Sequence, residues 1–227
     1  MKKALFIALI LGLVVFHSCK KETESFELSG QEYAAERTGK VLLYRVDSQI
    51  FNLNTAFDSN YTITFFERHV TKEIQIDSTG KPYFYHQVHK SADRIDWIPS
   101  YAYKTYIDST NYTKVVDNKK VIHLSLPINT FKTWDGNIFN DEKGGQQFRY
   151  IENDNLMQPD SIFKDQITVR LKKELLPLTE SYAYFESYAP KIGLVYKYKY
   201  FNDIQIGSNN IISQSGHHLH YNLIGHN

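Results

Sequence analysis

The residues with the most chemistry to offer lie between Glu180 and Phe201, in the stretch ESYAYFESYAPKIGLVYKYKYF. Tyr182, Tyr184, Glu186 and Tyr188 recur at every second position, and so do Leu194, Tyr196, Tyr198 and Tyr200. Side chains of an extended chain alternate between two faces, so each set shares one face. The two runs flank Ala189-Pro190-Lys191-Ile192-Gly193 and read as an antiparallel hairpin. Aromatic rings stack on sugars or lipid chains, and a carboxylate among them orients a hydroxyl or an amine. Tyr184, Glu186, Tyr188, Tyr196 and Tyr198 are therefore the candidate ligand-binding residues. The same pattern also serves a sheet with no ligand, because cross-strand aromatic pairs contribute roughly 0.2–1 kcal/mol each. Core and site remain open as readings of this face.

Histidines gather near the end of the chain: His217, His218, His220 and His226. On a strand, His218 and His220 share a face and could form half of a zinc site. No further ligands accompany them and no HExxH occurs, so a solvent-facing pair is the expectation and no metal is assigned. His86 and His89 fall on opposite faces of a strand. Nucleophile-elbow, P-loop and dinucleotide patterns are absent, and Gly144-Gly145 alone is a loop. No catalytic residue and no cofactor are assigned.

These residues must be positioned by strands. Aromatics make up 15% of the chain, including 17 Tyr, which suits strands. Strand-like runs cover Val41–Phe51, Tyr61–Val70 with Glu73–Ile76, Tyr83–His89, Trp97–Ile107, Tyr112–Val116, Val121–Leu126, Phe131–Trp134, Gln146–Glu152, Gln166–Leu171, the hairpin, and His217–Ile224. Turn signals separate them at Asp77–Lys81, Asp117-Asn118 and Asp135–Asn137. Short connections favour antiparallel neighbours, because parallel pairing needs a long crossover. The expected fold is all-β: a mostly meandering antiparallel sheet of about ten to twelve strands, curled into a barrel or half-barrel.

At the other end, Lys2 and Lys3 precede an uncharged run from Ala4 to Phe16. That run has signal-peptide length and falls short of the roughly 20 apolar residues of a membrane-spanning helix. It leads to Ser18-Cys19, the only cysteine of the chain. The segment resembles a bacterial lipoprotein signal, with Phe16 and His17 departing from the strict lipobox. The resemblance implies cleavage before Cys19 and a diacylglyceryl group on its sulfur. The expected organisation is a signal peptide over 1–18, a lipidated cysteine and polar tether over 19–39 with one helical turn near Gln31–Arg37, and a single β domain over 40–227. The leader holds two of the 26 basic residues and none of the 25 acidic ones, so the rest is nearly neutral. That balance speaks against a nucleic-acid partner.

The pieces Tyr44–Ser48, Trp134–Asn137, Glu186–Pro190 and Ile192–Lys197 resemble landmarks of a family of uncharacterised Bacteroidetes-type lipoproteins, to which no activity is assigned. The resemblance implies an outer-membrane, lipid-anchored protein facing either the periplasm or the surface. Asp77-Ser78-Thr79, Asp108-Ser109-Thr110 and Asp160-Ser161-Ile162 resemble sites of O-linked glycosylation in such proteins, which would modify Ser78, Ser109 and Ser161. The same triplets read as plain capped turns. The leading expectation is an envelope binding module for a hydrophobic or saccharide ligand or a protein partner, held to the membrane through Cys19. A structural or assembly lipoprotein without a small ligand is the alternative, and a hydrolase with an unrecognised site the second. The shape of the sheet's interior distinguishes them.

Overall fold

The alternation of Leu42, Tyr44 and Val46 against Leu43, Arg45 and Asp47 builds the central strand β1 (Val41–Asn54), with the first set buried. The computed structural model describes residues 30–227 apart from 55–56, 131, 141–145, 153, 176–179 and 207–210. The expected signal segment, Cys19, the first part of the expected tether and Gly144-Gly145 lie outside the described residues. The strands that follow are β2 (Phe57–Ile76), β3 (Pro82–Ser91), β4 (Ile98–Ile107), β5 (Asn111–Val116) and β6 (Lys119–Ser125). They continue with β7 (Thr133–Asp135), β8 (Gln147–Ile151), β9 (Ile167–Leu175), β10 (Ser181–Ala189), β11 (Gly193–Ile206) and β12 (Ile211–His226).

All twelve lie in one antiparallel sheet of order β6-β5-β4-β3-β2-β1-β12-β11-β10-β9-β8-β7. Every neighbour is also a sequence neighbour except β1 and β12, which join the two ends of the chain from Leu42↔His226 onward. The result is an up-and-down, nearly closed barrel whose two edges are β6 and β7. Those edges meet without a full ladder. Ile122 N donates to Gly136 O at 2.9 Å, and Trp134 Nε1 donates to Ile122 O at 3.0 Å. The Tyr150 hydroxyl takes a hydrogen bond from Ser125 N and gives one to Ser125 O. Ile122 and Leu124 pack with Trp134, Phe148, Val169 and Leu171 beneath these contacts. The seam is thus held by apolar burial and by side chains that satisfy strand-edge polar groups, which limits the hazard of an open edge.

The tether reading does not hold for residues 30–39, which dock across one end of the barrel. The helical turn α1 (Gln31–Ala34) ends at Ala35 in the left-handed region, φ 49°. Lys191 N donates to Glu32 O at 2.7 Å and Gly39 N to Thr71 O at 2.8 Å. Ala34 is buried, and so is the Glu36 side chain. The segment's charges looked solvated in sequence, but Glu36 finds its partners inside the barrel.

The outside of β10 and β11 is also covered. Phe185, Tyr196 and Tyr198 are buried there against Ile151, Leu156 and Met157. Gln158 N donates to the Tyr196 hydroxyl at 3.1 Å, and Asp160 N to Asn222 Oδ1 at 3.0 Å. Arg45 clamps the same connection through Asp160 at 2.7 Å.

Candidate functional site

The inward face of the barrel carries an unusual load of polar groups. Among the described residues three buried carboxylates lie within it, and each is held differently. Glu186, on β10, receives His123 Nδ1 at 2.6 Å and the Tyr188 hydroxyl at 2.5 Å on one oxygen, and the Tyr184 hydroxyl at 2.7 Å on the other. Burial alone would raise its pKa. The neighbouring His123, the donated hydrogen bonds and the Lys197 charge outweigh that and hold the carboxyl far below its usual range.

Glu67, on β2, lies 3.0 Å from His69 Nε2 and 3.5 Å from Lys90 Nζ. Burial opposes its ionisation, but the His69 hydrogen bond and the nearby cations bring its pKa below the ordinary value. Burial drives His69 down to about 4, so its ring is neutral near pH 7. Nε2–H then donates to Glu67, and Nδ1 accepts from the Tyr103 hydroxyl at 3.2 Å.

Glu36 closes the plugged end. Its Oε1 accepts from the Tyr112 hydroxyl at 2.9 Å and from Thr105 Oγ1 at 3.2 Å, while its Oε2 has no partner among the described residues. Burial raises its pKa. His86 stacks on Tyr103 at 4.3 Å between centroids, bonds to Thr71 and Thr105, and is pushed down to about 2 by burial. A void of about 30 Å³ remains among Glu36, Lys114, Glu186 and Tyr188, of the order of one water.

Away from the plug the barrel opens into a much larger cavity of about 750 Å³. Tyr101, Tyr184, Tyr221, Phe148, Val121 and Leu171 line it, together with Glu67, His123 and the lysines Lys90, Lys114, Lys197 and Lys199. Lys114 Nζ lies 3.9 Å above the Tyr103 ring, Lys197 Nζ 4.2 Å above Tyr221 and Lys199 Nζ 4.8 Å above Tyr184. These cation–π placements orient the ammonium groups without neutralising them. Burial, then the charges of Lys199 and Lys114, lower Lys197 to about 7. Burial likewise lowers Lys114.

Of the candidate ligand residues, Tyr184, Glu186 and Tyr188 face this interior. Tyr196 and Tyr198 do not: they sit on the opposite face beneath residues 154–166. The cause is a β-bulge. Tyr188 pairs with Leu194, and continued regular pairing would set Glu186 against Tyr196 and Tyr184 against Tyr198. The register shifts between Ser187 and Tyr188, so Glu186 meets Lys197 and Tyr184 meets Lys199. One extra residue in a strand moves every later side chain to the other face. Lys114, Lys197 and Lys199, with Glu36, Glu67, His69, His86 and His123, are the site residues that sequence reasoning missed. The alternation of Lys197 and Lys199 was visible, but nothing in the sequence signals the bulge that turns it inward.

His218 and His220 share the outer face, with ring centroids 6.5 Å apart, and their Nδ1 atoms lie 3.5 Å from the Tyr198 hydroxyl and 3.1 Å from the Tyr196 hydroxyl. Among the described residues no group of three metal-ligating side chains occurs. Ser78, Ser109 and Ser161 are all exposed. Asp77 and Asp108 cap their turns by accepting from Thr79 N and Thr110 N, both at 2.9 Å.

No protein-family model, no curated protein and no solved structure matches the chain.

Proposed function

We propose that the protein is a cell-envelope binding module, anchored to the outer membrane through a lipid on Cys19, that holds a small amphipathic ligand inside its barrel. The observation that carries this reading is the open cavity of about 750 Å³ with aromatic, aliphatic and cationic walls. Small-molecule sites are typically concave, largely apolar, and ~300–1,000 Å³ in volume. A purely structural domain has no use for a cavity of this size, because unfilled space forfeits packing energy. Among the interior acids, Glu186, which lies nearest the sequence's candidate ligand face, does not favour hydrolysis. Glu186 has both oxygens occupied and is held ionised, so it cannot serve as a general acid near neutral pH.

The test uses N-phenyl-1-naphthylamine, a neutral apolar dye whose fluorescence rises on transfer out of water. The protein should bind it saturably. Val121→Trp, which places an indole in the cavity, should abolish binding while leaving the cooperative melt intact. Absence of saturable binding, or binding untouched by Val121→Trp, would overturn the reading.

A further inference from the structure

We infer that Lys114, Lys197 and Lys199 form an oxyanion seat in the cavity wall, which recognises a ligand bearing a carboxylate, sulfonate or phosphate group. The inference rests on the cavity being a binding site and names the chemistry that the site selects.

The three side chains come from β5 and β11 and open onto one cavity. Among the described residues, none of their ammonium groups has a carboxylate within 4 Å; their close partners are the rings of Tyr103, Tyr221 and Tyr184. Of the described acids nearest them, Glu36 and Asp117 form no ion pair with any of the three, and the other two are already engaged. Glu186 is saturated by His123, Tyr184 and Tyr188, and Glu67 is held by His69 and Lys90. Lys197 stands directly across from Glu186 on β10 and from Tyr221 on β12, so its ammonium is enclosed on both sides. Crowding like charges away from water is unfavourable unless an anion joins them; burial first, and then the charges of Lys199 and Lys114, lower the Lys197 pKa against the opposing pull of Glu186 and Glu67. A bound oxyanion would accept charge-assisted hydrogen bonds from the lysines. Tyr101 and Tyr221 also line the cavity, and their hydroxyls have no hydrogen-bond partner among the described residues, so two phenolic donors are available to the same anion. Phe148 and Leu171 offer apolar wall for the remainder of the ligand.

The experiment compares two dyes on the mature chain: 1-anilinonaphthalene-8-sulfonate, and N-phenyl-1-naphthylamine, which lacks only the sulfonate. The sulfonate dye should bind at least about tenfold more tightly, a step of one decade in Kd. Lys197→Gln and Lys199→Gln should each weaken it by about tenfold while leaving the neutral dye within about twofold, and Lys197→Arg should retain most of the affinity. Unchanged binding of the neutral dye shows that each variant is folded. Equal affinity for both dyes, or no response to the lysine variants, would overturn the seat and leave the binding-module reading standing. Failure of both dyes to bind would overturn both. Competition separates the sources of the anion. Displacement of the sulfonate dye by millimolar inorganic phosphate supports a seat for free anions. Displacement only by a long-chain carboxylate supports a seat for an amphiphile's head group.

Discussion

Glu186→Gln keeps the shape of the side chain and removes its charge, which makes it a clean probe of the buried network. In the native protein three donors converge on the carboxylate at 2.5–2.7 Å. The amide offers one acceptor oxygen and an NH2 group, so at least one of His123, Tyr184 and Tyr188 must then face a donor. Hydrogen bonds to charged groups are each worth ~1.5–3 kcal/mol, and breaking a buried pair by removing one partner typically costs ~3–5 kcal/mol. The expected loss is therefore about 3–5 kcal/mol at pH 7, read as a lower urea midpoint at unchanged slope. The pH dependence follows from linkage. The native carboxyl titrates well below its unfolded value, so the unfolded chain binds more protons once the pH falls through the unfolded pKa. The stabilisation is complete above that pKa, about 4.3, and is lost progressively below it. The gap between wild type and Glu186→Gln should thus narrow as the pH falls. A loss under about 1 kcal/mol at pH 7, or a gap that stays constant down to about pH 3, would refute the reasoning.

Tyr196→Ala, on the covered outer face, should cost about 3–5 kcal/mol in urea melts, because it empties a fully buried position and frees the Gln158 amide. Lys197→Met tests the enclosed cation, which faces Glu186 and Glu67 as well as Lys199, Lys114 and Tyr221. With Lys197 at about 7, the unfolded chain binds more protons above that pH, so wild type should gain about 1 kcal/mol between pH 7 and 8 that the Met variant lacks. A Met variant with the wild-type slope would count against enclosure. Labelled palmitate should enter the wild-type protein in cells, and Cys19→Ala should lose both label and membrane retention.

Local alternation was enough to locate every strand, because period-two patterning and turn residues are short-range properties. Glu73–Ile76 proved to be the end of β2 across a shift at Thr71, and the last strand begins several residues earlier than His217. The all-β meander and its curling also followed from sequence, since short connections leave antiparallel neighbours as the economical topology. The direction in which each side chain points relative to the barrel was a different matter. Sequence alternation says which residues share a face, not which face is inside, and a single bulge next to Ser187 reverses the answer for β11 from Tyr196 onward, while Leu194 stays inward with Tyr188. It sent Tyr196 and Tyr198 outward under residues 154–166 and brought Lys197 and Lys199 inward against Glu186 and Tyr184. Likewise, Glu36 looked like one charge in a solvated segment, and its burial depends on Thr105 and Tyr112, which lie far along the chain. Composition and local pattern determined the strands and their turns. Only closure of the sheet decided which polar groups share its interior, because their pKa values and partners depend on contacts between residues that sequence order keeps apart.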